Sequence, residues 1–438
     1  MRIHLIAIGG AVMHNLALEL HAQGNQVSGS DDEIYDPART RLEAAGLLPE
    51  QVGWDENLID TTIDLIILGM HAKLDNPELV KAQRLGLKIQ SFPEFIASYV
   101  AEKTKIVVCG SHGKTTTTAM IMHVLKDCKV KFDYMVGGLI EGFERMVGLH
   151  SDSKIAVLEG DEYLSSRLDP KSKMLHYRGD IIILTGIAWD HINVFPSFEK
   201  YLDPFRNLVR QMKPGGVLIH FDDKEERSIA QLNQSIEIQP YSSLKVDREK
   251  VVLEGQVYPV QIFGDHNMAN MNAARLACAS IGISSDDFFR SIGRFEGVGK
   301  RLEKINDDPL IYRDFAHAPS KVAASVDAMS HKWPDSRLLV IVELHTYSSL
   351  NKDFIPHYKG SLEGASKAIV FYDPKAVRLK RLEELDPAYI HDCFNHSNLT
   401  VINKLDDLEV RIRKEIKQAD VSLVMSSGNL AGIDLVNL

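Results

Sequence analysis

The sequence is poor in the features that mark secreted, membrane-spanning or disordered proteins. Its 438 residues include four cysteines and no CxxC pair, which argues against a disulfide framework and for a reducing compartment. No run of 18 apolar residues occurs, so no transmembrane helix is expected. The 29 glycines and 16 prolines are too few for a collagen-like or low-complexity chain. We therefore expect a cytoplasmic protein with no membrane partner.

The charge balance excludes a further class of partner. Lysine and arginine number 50 against 60 acidic residues, a net charge of −10. Nonspecific binding to duplex nucleic acid depends on neutralising phosphates with basic side chains, so no nucleic-acid partner is expected. A local basic pocket for a small phosphate compound remains compatible with this balance.

Short apolar runs alternate with helical patterns, which predicts parallel sheets covered by helices. The predicted strands are Ile3–Ile8, Gln26–Ser30, Asp64–Leu68, Leu87–Gln90, Lys105–Cys109, Lys154–Leu158, Asp180–Thr185, Val217–His220, Lys250–Leu253, Tyr258–Ile262, Leu310–Asp314, Arg337–Val342, Ala368–Phe371, Thr400–Ile402 and Val421–Met425. The predicted helices include residues 12–23, 116–127 and 267–281. We expect an α/β fold in three domains, with bounds at 1–103, 104–301 and 302–438.

A glycine-rich turn between a strand and a helix is the strongest motif. It consists of Gly110, Ser111, His112, Gly113, Lys114, Thr115 and Thr116. Such a turn presents backbone N–H groups to phosphate oxygens, and the helix N-terminus adds partial positive charge. Lys114 is predicted to reach the β- and γ-phosphates of a nucleotide, and Thr115 to bind Mg²⁺. The alternative is a glycine turn with a chance lysine.

Two further strand ends carry groups suited to a metal. Glu159 directly follows the predicted strand Lys154–Leu158, at the edge of a parallel sheet where ligands bind, and its carboxylate suits Mg²⁺. Asp190 and His191 are predicted to close an extension of the strand Asp180–Thr185. The alternatives are a solvated acidic turn at Glu159 and a structural, hydrogen-bonded histidine at position 191.

Polar side chains in the second half of the chain suit a nucleotide. Asn267 and Asn270 share a helical face, and their amides match an adenine edge. Arg301 offers a planar fork for phosphate oxygens, and Asp314 ends a strand where it could hold a ribose hydroxyl. The alternatives are helix N-caps at Asn267 and Asp314 and a surface arginine at 301.

The first strand is followed by a degraded nucleotide fingerprint. Gly9 and Gly10 follow the strand, and Asp31 comes about twenty residues later. Ala7 and Val12 stand where a GxGxxG pattern has glycines. The alternative is a glycine turn in a dinucleotide-type fold that binds nothing.

The order of these motifs resembles the Mur ligases, which form amide bonds with ATP in peptidoglycan synthesis. The series runs Gly-Gly, Gly-Ser-His-Gly-Lys-Thr-Thr-Thr-Thr, Glu-Gly-Asp-Glu, Asp-His, Gly-x-His-Asn-x-x-Asn-x-x-Ala-Ala, Arg-Leu-Glu and Asp-Phe-Ala-His. The resemblance implies a Rossmann-like UDP-binding domain, a central P-loop ATPase-like domain and a C-terminal Rossmann-like domain. The chain departs from the family pattern at Gly186, Ala188, Lys300 and Ala318.

The resemblance also implies roles for the motif residues. Lys114, His191 and Arg301 are implied to be catalytic, and Thr115, Glu159 and His191 to bind Mg²⁺. ATP is implied to contact the residues of the glycine turn with Asn267, Asn270, Arg301 and Asp314. The UDP-sugar is implied to contact Gly9, Gly10, Ser30, Asp31 and His71. The acceptor or the muramyl group is implied to contact Asp161, Glu162, Tyr163 and His345.

Within the family, the resemblance points to the branches that use UDP-N-acetylmuramate. Asp161–Tyr163 and Lys171–Tyr177 resemble the branch that attaches the recycled tripeptide L-Ala-γ-D-Glu-meso-diaminopimelate, whereas His345–Ser348 resembles the branch that adds L-alanine. We expect the tripeptide ligase, acting as a monomer or weak dimer. The alternatives are the L-alanine ligase, a folate-type ligase and a non-catalytic nucleotide-binding regulatory protein. The first hundred residues argue against the folate-type ligase, because such enzymes lack a UDP-binding domain of this kind.

Overall fold

The computed structural model describes residues 1–247 and 250–435. Within them the chain forms two compact units. The first unit comprises residues 1–187, 202–242 and 273–292. The second unit comprises residues 188–201, 243–272 and 293–438, of which the last segment is described as far as residue 435. No helix in the described ranges is both long enough and apolar enough to cross a membrane.

The first unit contains two sheets. One is a four-stranded parallel sheet in the order β2-β1-β3-β4, and the other a seven-stranded sheet in the order β11-β10-β9-β5-β8-β6-β7. Their strands are β1 Arg2–Ile6, β2 Gln26–Ser30, β3 Leu65–Leu68, β4 Ile89–Ser91, β5 Thr104–Cys109, β6 Phe132–Met135, β7 Val147–Gly148, β8 Ile155–Gly160, β9 Ile181–Leu184, β10 Val217–Phe221 and β11 Glu237–Tyr241. Only the edge strand β7 is antiparallel to its neighbour.

The second unit also contains two sheets. A small antiparallel sheet has the order β12-β13-β14, and a six-stranded sheet has the order β15-β16-β20-β17-β18-β19, parallel except at β15. Their strands are β12 Val246–Asp247, β13 Lys250–Leu253, β14 Gln256–Pro259, β15 Glu303–Asp307, β16 Leu310–Asp314, β17 Leu338–Leu344, β18 Lys367–Tyr372, β19 Leu399–Ile402 and β20 Val421–Met425. The central strand β17 is buried at every position, as expected for a parallel strand covered on both faces.

Helices connect most of the parallel strands. They are α1 Ala11–Ala22, α2 Ala38–Ala44, α3 Pro77–Arg84, α4 Phe92–Tyr99, α5 Lys114–Asp127, α6 Met174–Tyr177, α7 Phe198–Arg210, α8 Lys224–Ala230, α9 Asp265–Ala279, α10 Ser285–Ile292, α11 Pro319–Lys332, α12 Pro374–Leu379, α13 Pro387–Phe394 and α14 Leu405–Ile416. Several begin at clear signals. Helix α4, for example, starts at a Ser91–Glu94 capping box followed by a proline in its first turn.

The strand–helix alternation predicted from sequence is confirmed, and its errors are local. β2, β13, β16 and β20 have the predicted bounds. Helix α5 begins two residues before the predicted start, because Gly113 caps it in a left-handed conformation. The strand predicted at Tyr258–Ile262 lies instead at Gln256–Pro259, where it pairs with β13 across a tight turn.

Candidate functional site

The glycine turn after β5 can be formed only with glycine at its first position. Gly110 has φ +127°, and a Cβ atom there would lie 2.0 Å from the hydroxyl oxygen of Thr185. Gly113, at φ +70°, turns the chain into α5. The turn therefore brings bare backbone to the N-terminus of a 14-residue helix, an arrangement that suits a phosphate group.

Lys114 is held at this turn by a buried carboxylate. Its ammonium donates to Gly110 O at 2.6 Å and to Glu162 Oε2 at 2.7 Å. Burial lowers the pKa of Lys114, but the carboxylates of Glu162 and Asp161 outweigh burial and hold that pKa above its ordinary value. The ammonium is therefore charged at neutral pH, as a group that neutralises a polyphosphate must be.

Glu159 and Thr115 form an oxygen-rich pair beside the turn. The Thr115 hydroxyl donates to Glu159 Oε1 at 3.1 Å, and Gly137 N donates to Glu159 Oε2 at 2.7 Å. A hydroxyl and a carboxylate are hard oxygen donors of the kind that Mg²⁺ takes. These residues therefore fit the predicted Mg²⁺ site. They meet because β5 and β8 are parallel neighbours whose carboxyl ends lie at one sheet edge.

The structure brings together the two segments that resemble the tripeptide-accepting branch. Lys173 Nζ donates to Asp161 Oδ2 at 2.6 Å, and Lys173 N donates to Tyr163 O at 2.9 Å. Met174 N donates to Asp161 O, which adds a second backbone link between the segments. Glu162, between them, is almost fully buried against Lys114. Sequence reasoning assigned Glu162 to the acceptor or the muramyl group and missed this ion pair.

The N-terminal glycine turn is intact despite its degraded pattern. Ala7, which replaces a glycine of the fingerprint, adopts φ +69°, a conformation that costs energy for any residue with a Cβ. Gly9 N donates to Asp31 Oδ2 at 2.7 Å. Burial raises the pKa of Asp31 to about 6. Ser30 is buried, and its hydroxyl donates to Glu78, so its hydrogen already has a partner within the fold.

A cavity of about 220 Å³ opens beside this turn. Its lining includes Gly9, His14, Tyr35 and Arg41. Arg41 donates to Asn15 Oδ1 at 2.9 Å and to Glu144 O at 2.6 Å, which fixes its guanidinium at the cavity wall. Sequence reasoning missed Arg41, because a lone arginine on a short helix carries no signal until the fold places it at a cavity.

In the second unit, Asp190 lies beside a lysine and a histidine. Lys321 Nζ is 3.3 Å from Asp190 Oδ2, and His317 Nε2 is 4.0 Å from it. Burial raises the pKa of Asp190, but Lys321, His191 and His317 outweigh burial and hold it below the ordinary range. Burial also lowers the pKa of His317 to about 4, so this ring is neutral at pH 7.

The loop around Asp190 departs from the sequence prediction. Strand β9 ends at Leu184, so Asp190 and His191 lie on a loop and do not close an extended strand. Asp190 Oδ1 accepts from its neighbour, His191 N, and His191 has φ +54°. The predicted metal role of His191 stays a prediction. Lys321 was missed, since no sequence pattern connects a residue of α11 to Asp190.

The predicted nucleotide residues of the second unit lie on helix α9, at the end of strand β16 and just before strand β15. Asn267 lies in the first turn of α9 and donates to Phe263 O at 2.9 Å, so the N-cap alternative is wrong for it. Asp314 ends β16 and accepts a hydrogen bond from Ser325, and α11 begins only at Pro319, so the cap alternative is wrong here too. The guanidinium of Arg301 lies 4.7 Å from the ring centre of Phe315. Asn270 is buried.

The remaining predicted residues occupy three places. In the glycine turn, Ser111 N donates to Gly186 O at 3.0 Å, and His112 Nδ1 is 3.4 Å from the same oxygen. His345 follows β17, with Nδ1 3.9 Å from Glu343 Oε1. Other residues from the prediction are partly or largely exposed, namely Gly10, Thr116 and His71. Their ligand roles stay predictions.

Comparison with known proteins decides the family. Residues 2–104 match the description "Mur ligase family, catalytic domain", and residues 108–278 match "Mur ligase middle domain". A UDP-N-acetylmuramate–L-alanine ligase of Lactobacillus delbrueckii is 30% identical over 386 residues, covering 84% of each chain. The chain belongs to the Mur ligase family. It is therefore an ATP-dependent, amide-forming ligase, as expected from the motif series.

Other similar Mur ligases come from both branches. The Escherichia coli UDP-N-acetylmuramate–L-alanyl-γ-D-glutamyl-meso-2,6-diaminoheptandioate ligase is 28% identical, over 99% of this chain and 96% of that protein. A murein peptide ligase structure from Psychrobacter arcticus has 24% identity and a TM-score of 0.71, covering 99% and 97%. A UDP-N-acetylmuramate–alanine ligase structure from Thermotoga maritima has 20% identity and a TM-score of 0.72, covering 99% and 97%. The last two comparisons confirm the Mur ligase fold.

Proposed function

We propose that this Mur ligase joins UDP-N-acetylmuramate to the tripeptide L-Ala-γ-D-Glu-meso-diaminopimelate. The observation that carries the proposal is the packing of Lys171–Tyr177 against Asp161–Tyr163, fixed by the Lys173–Asp161 ion pair. Glu162, which lies within the first of these segments, contacts Lys114. Lys114 belongs to the glycine turn of residues 110–116, which is proposed to be the phosphate loop. The segment that resembles the tripeptide-accepting branch is thus in contact with the proposed nucleotide site. The full-length match to the Escherichia coli enzyme supports the same reading.

The proposed reaction has two steps. The lactyl carboxylate of the muramyl group attacks the γ-phosphate of ATP, which releases ADP and leaves an acyl phosphate. The N-terminal amine of the acceptor then attacks the acyl carbon, forms the amide, releases inorganic phosphate and gives up a proton. The first step brings two anions together, so the protein's contribution is neutralisation of charge and alignment of the groups.

Residues of the phosphate loop are suited to that first step. The ammonium of Lys114 stays charged beside Glu162 and would contact the phosphate oxygens that gain charge. The backbone of the turn at Gly110 and Gly113 would hold the phosphates at the start of α5. Arg301 is proposed to supply a second, planar cation. Asn267, Asn270 and Asp314 are proposed to hold the nucleoside.

The metal-binding residues are proposed from the chemistry of the donors. Thr115 and Glu159 would hold Mg²⁺, with His191 as a further proposed ligand. A bound Mg²⁺ would neutralise phosphate charge in the transition state. The carboxylate of Glu159 is kept in place by the N–H of Gly137, so its orientation does not depend on the metal.

The UDP-sugar is proposed to bind at the N-terminal glycine turn. The cavity beside Gly9 offers the guanidinium of Arg41, which suits a diphosphate. Gly10, Asp31 and His71 are also proposed to contact this substrate. Ser30, which is buried next to Asp31, is proposed to contact it as well. The cytoplasmic location and the monomeric or weakly dimeric state stay predictions.

Transfer to L-alanine is the second candidate function. Relatives named as L-alanine ligases match at similar identity, and the His345–Ser348 segment resembles that branch. A tripeptide site, however, has polar groups meant for the distal part of its acceptor. Free alanine would leave these groups unpaired, at ~1–3 kcal/mol each.

The two candidates are separated by ADP-release kinetics with UDP-N-acetylmuramate and each acceptor. We expect kcat/KM to be at least ~100-fold higher for the tripeptide, the effect of about two unpaired groups. Equal or faster use of L-alanine would overturn the tripeptide assignment and support the alanine ligase. If neither acceptor stimulated ADP release, both acceptor assignments would be overturned.

A further inference from the structure

The second unit contains a cavity of about 700 Å³. Ala188 and Trp189 form one side of it, and Pro319, Ser320 and Ala323 at the start of α11 form another. The chain between Phe354 and Glu363 forms a third side. The volume lies within the range of about 300–1,000 Å³ that is usual for small-molecule sites.

The cavity lies directly beside the Asp190 cluster. Trp189, in its wall, precedes Asp190 in the chain, and Pro319 follows His317 by two residues. Within this unit His317 and Lys321 both lie within 4.0 Å of the Asp190 carboxylate. The loops that carry Asp190 and His317 thus also contribute residues to the cavity wall. A ligand bound at the Asp190 cluster can therefore extend into the cavity.

One wall of the cavity is aromatic. The ring centres of Trp189 and Phe354 are 6.0 Å apart, those of Trp189 and His357 5.8 Å, and those of Phe354 and His357 5.1 Å. Trp189 is fixed by a hydrogen bond from its indole N–H to Phe195 O at 3.0 Å. A rigid wall of ring faces and edges is suited to an alkyl chain.

The cavity lining contains one buried hydroxyl and two exposed, oppositely charged side chains. Ser361 is 4% exposed, and its Oγ has no hydrogen-bond partner among the described residues. Buried hydroxyls in folded proteins are nearly always hydrogen-bonded, so this one indicates a partner from outside the chain. Lys359 and Glu363, also in the lining, are exposed, and over the described ranges neither forms an ion pair.

We propose that this cavity binds the distal residue of the acceptor peptide, an alkyl chain ending in both an ammonium and a carboxylate. The inference rests on the proposed function and adds the place where the far end of the acceptor is recognised. The alkyl chain packs on Trp189 and Phe354. Lys359 and the Ser361 hydroxyl bind the carboxylate, and Glu363 binds the ammonium. Free alanine, with a single methyl side chain, cannot reach these groups.

The test compares two acceptors that differ only at this end. One is L-Ala-γ-D-Glu-meso-diaminopimelate, and the other carries L-lysine as its third residue, which keeps the distal ammonium and lacks the distal carboxylate. The variants are Lys359→Ala and Ser361→Ala in the full chain. Lys375→Ala is the matched control, because Lys375 is an exposed lysine of the same unit outside the cavity lining.

We expect Lys359→Ala to lower kcat/KM for the diaminopimelate peptide about tenfold, the effect of losing a hydrogen bond to a charged group. The same variant should leave kcat/KM for the lysine peptide within about twofold. Ser361→Ala should also lower kcat/KM for the diaminopimelate peptide, while its melting temperature stays equal or rises, because the variant removes an unpartnered buried hydroxyl.

Two results would overturn the inference while the proposed function stands. The first is that the wild type ligates the tripeptide, while Lys359→Ala lowers kcat/KM for it no more than Lys375→Ala does. The second is that Lys359→Ala lowers kcat/KM equally for both peptides, which would show that Lys359 does not bind the distal carboxylate. A wild type that ligates neither peptide would instead refute the proposed function itself.

Discussion

At the residue scale, Lys114 combines a structural and a chemical role. Its ammonium is the partner of the buried Glu162 carboxylate and the cation proposed to meet the phosphates. Lys114→Ala should lower kcat at least ~100-fold, as expected when a group that stabilises developing charge is removed. It should also destabilise the fold by ~3 kcal/mol or more, because Glu162 is left buried without its partner. Initial rates and urea unfolding measure the two effects.

A second variant separates these two consequences of losing Lys114. Lys114→Ala combined with Glu162→Gln removes the orphaned charge, so stability should return while ligation stays lost. Lys131→Ala serves as the control, since its ion pair with Asp152 is exposed and such pairs contribute at most ~1 kcal/mol. A folded double variant with more than about a tenth of the activity of Glu162→Gln alone would contradict the phosphate-loop assignment.

At the element scale, α8 holds the chain that leaves β9. Glu226 of α8 is buried and accepts a hydrogen bond from Ile187 N at 2.6 Å. Burial raises the pKa of Glu226 from 4.5 to about 7. Between these two values the folded protein keeps a proton that the unfolded chain has lost. The contribution of Glu226 to stability is therefore full below pH 4.5 and is lost as the pH rises through about 7.

Glu226→Gln should remove this pH dependence, because the amide oxygen still accepts from Ile187 and cannot titrate. We expect the free energy of unfolding of the wild type to fall by on the order of 2 kcal/mol relative to the variant between pH ~5 and pH ~8. Urea unfolding across this range measures the difference. Glu225→Gln, at a partly exposed residue of the same helix, serves for comparison. A difference between wild type and Glu226→Gln that stays constant with pH would rule out the titration of Glu226.

At the scale of the whole molecule, buried polar groups on α1 join the two sheets of the first unit. Asn15 Oδ1 accepts from Met146 N at 3.0 Å and from Arg41 at 2.9 Å. Glu19 accepts from Leu149 N at 3.1 Å and pairs with Arg145. These contacts cover the β7 edge of the seven-stranded sheet with a helix of the four-stranded layer, which protects that edge from pairing with another chain.

Asn15→Ala should lower the free energy of unfolding by about 2 kcal/mol, because the N–H of Met146 is left buried without an acceptor. His21→Ala is the matched control, as His21 is an exposed residue of the same helix. Denaturant unfolding of both variants compares the two losses. If Asn15→Ala lost no more than the control, α1 would be held to the larger sheet by apolar packing alone.

The sequence alone determined the parts of this protein that depend on local pattern. Apolar runs and glycine turns placed β2, β16, β20 and the phosphate loop, because backbone geometry and burial act on neighbouring residues. The order of motifs determined the family. What sequence patterns fail to predict also includes the conformation of single residues. The first-strand fingerprint looked degraded, since sequence pattern does not reveal that Ala7 tolerates a positive φ.

Only the tertiary structure decided which distant groups meet. Glu162 and Lys114 are 48 positions apart, and Lys321 and Asp190 are 131 apart, yet each pair is in contact. Such contacts follow from which strands are neighbours, and strand order is set by the packing of whole layers. For the same reason, the sequence pattern does not reveal that Arg41 lies at a cavity, or that the Ser361 hydroxyl has no hydrogen-bond partner among the described residues. Folding determines them by removing these groups from water together with particular neighbours.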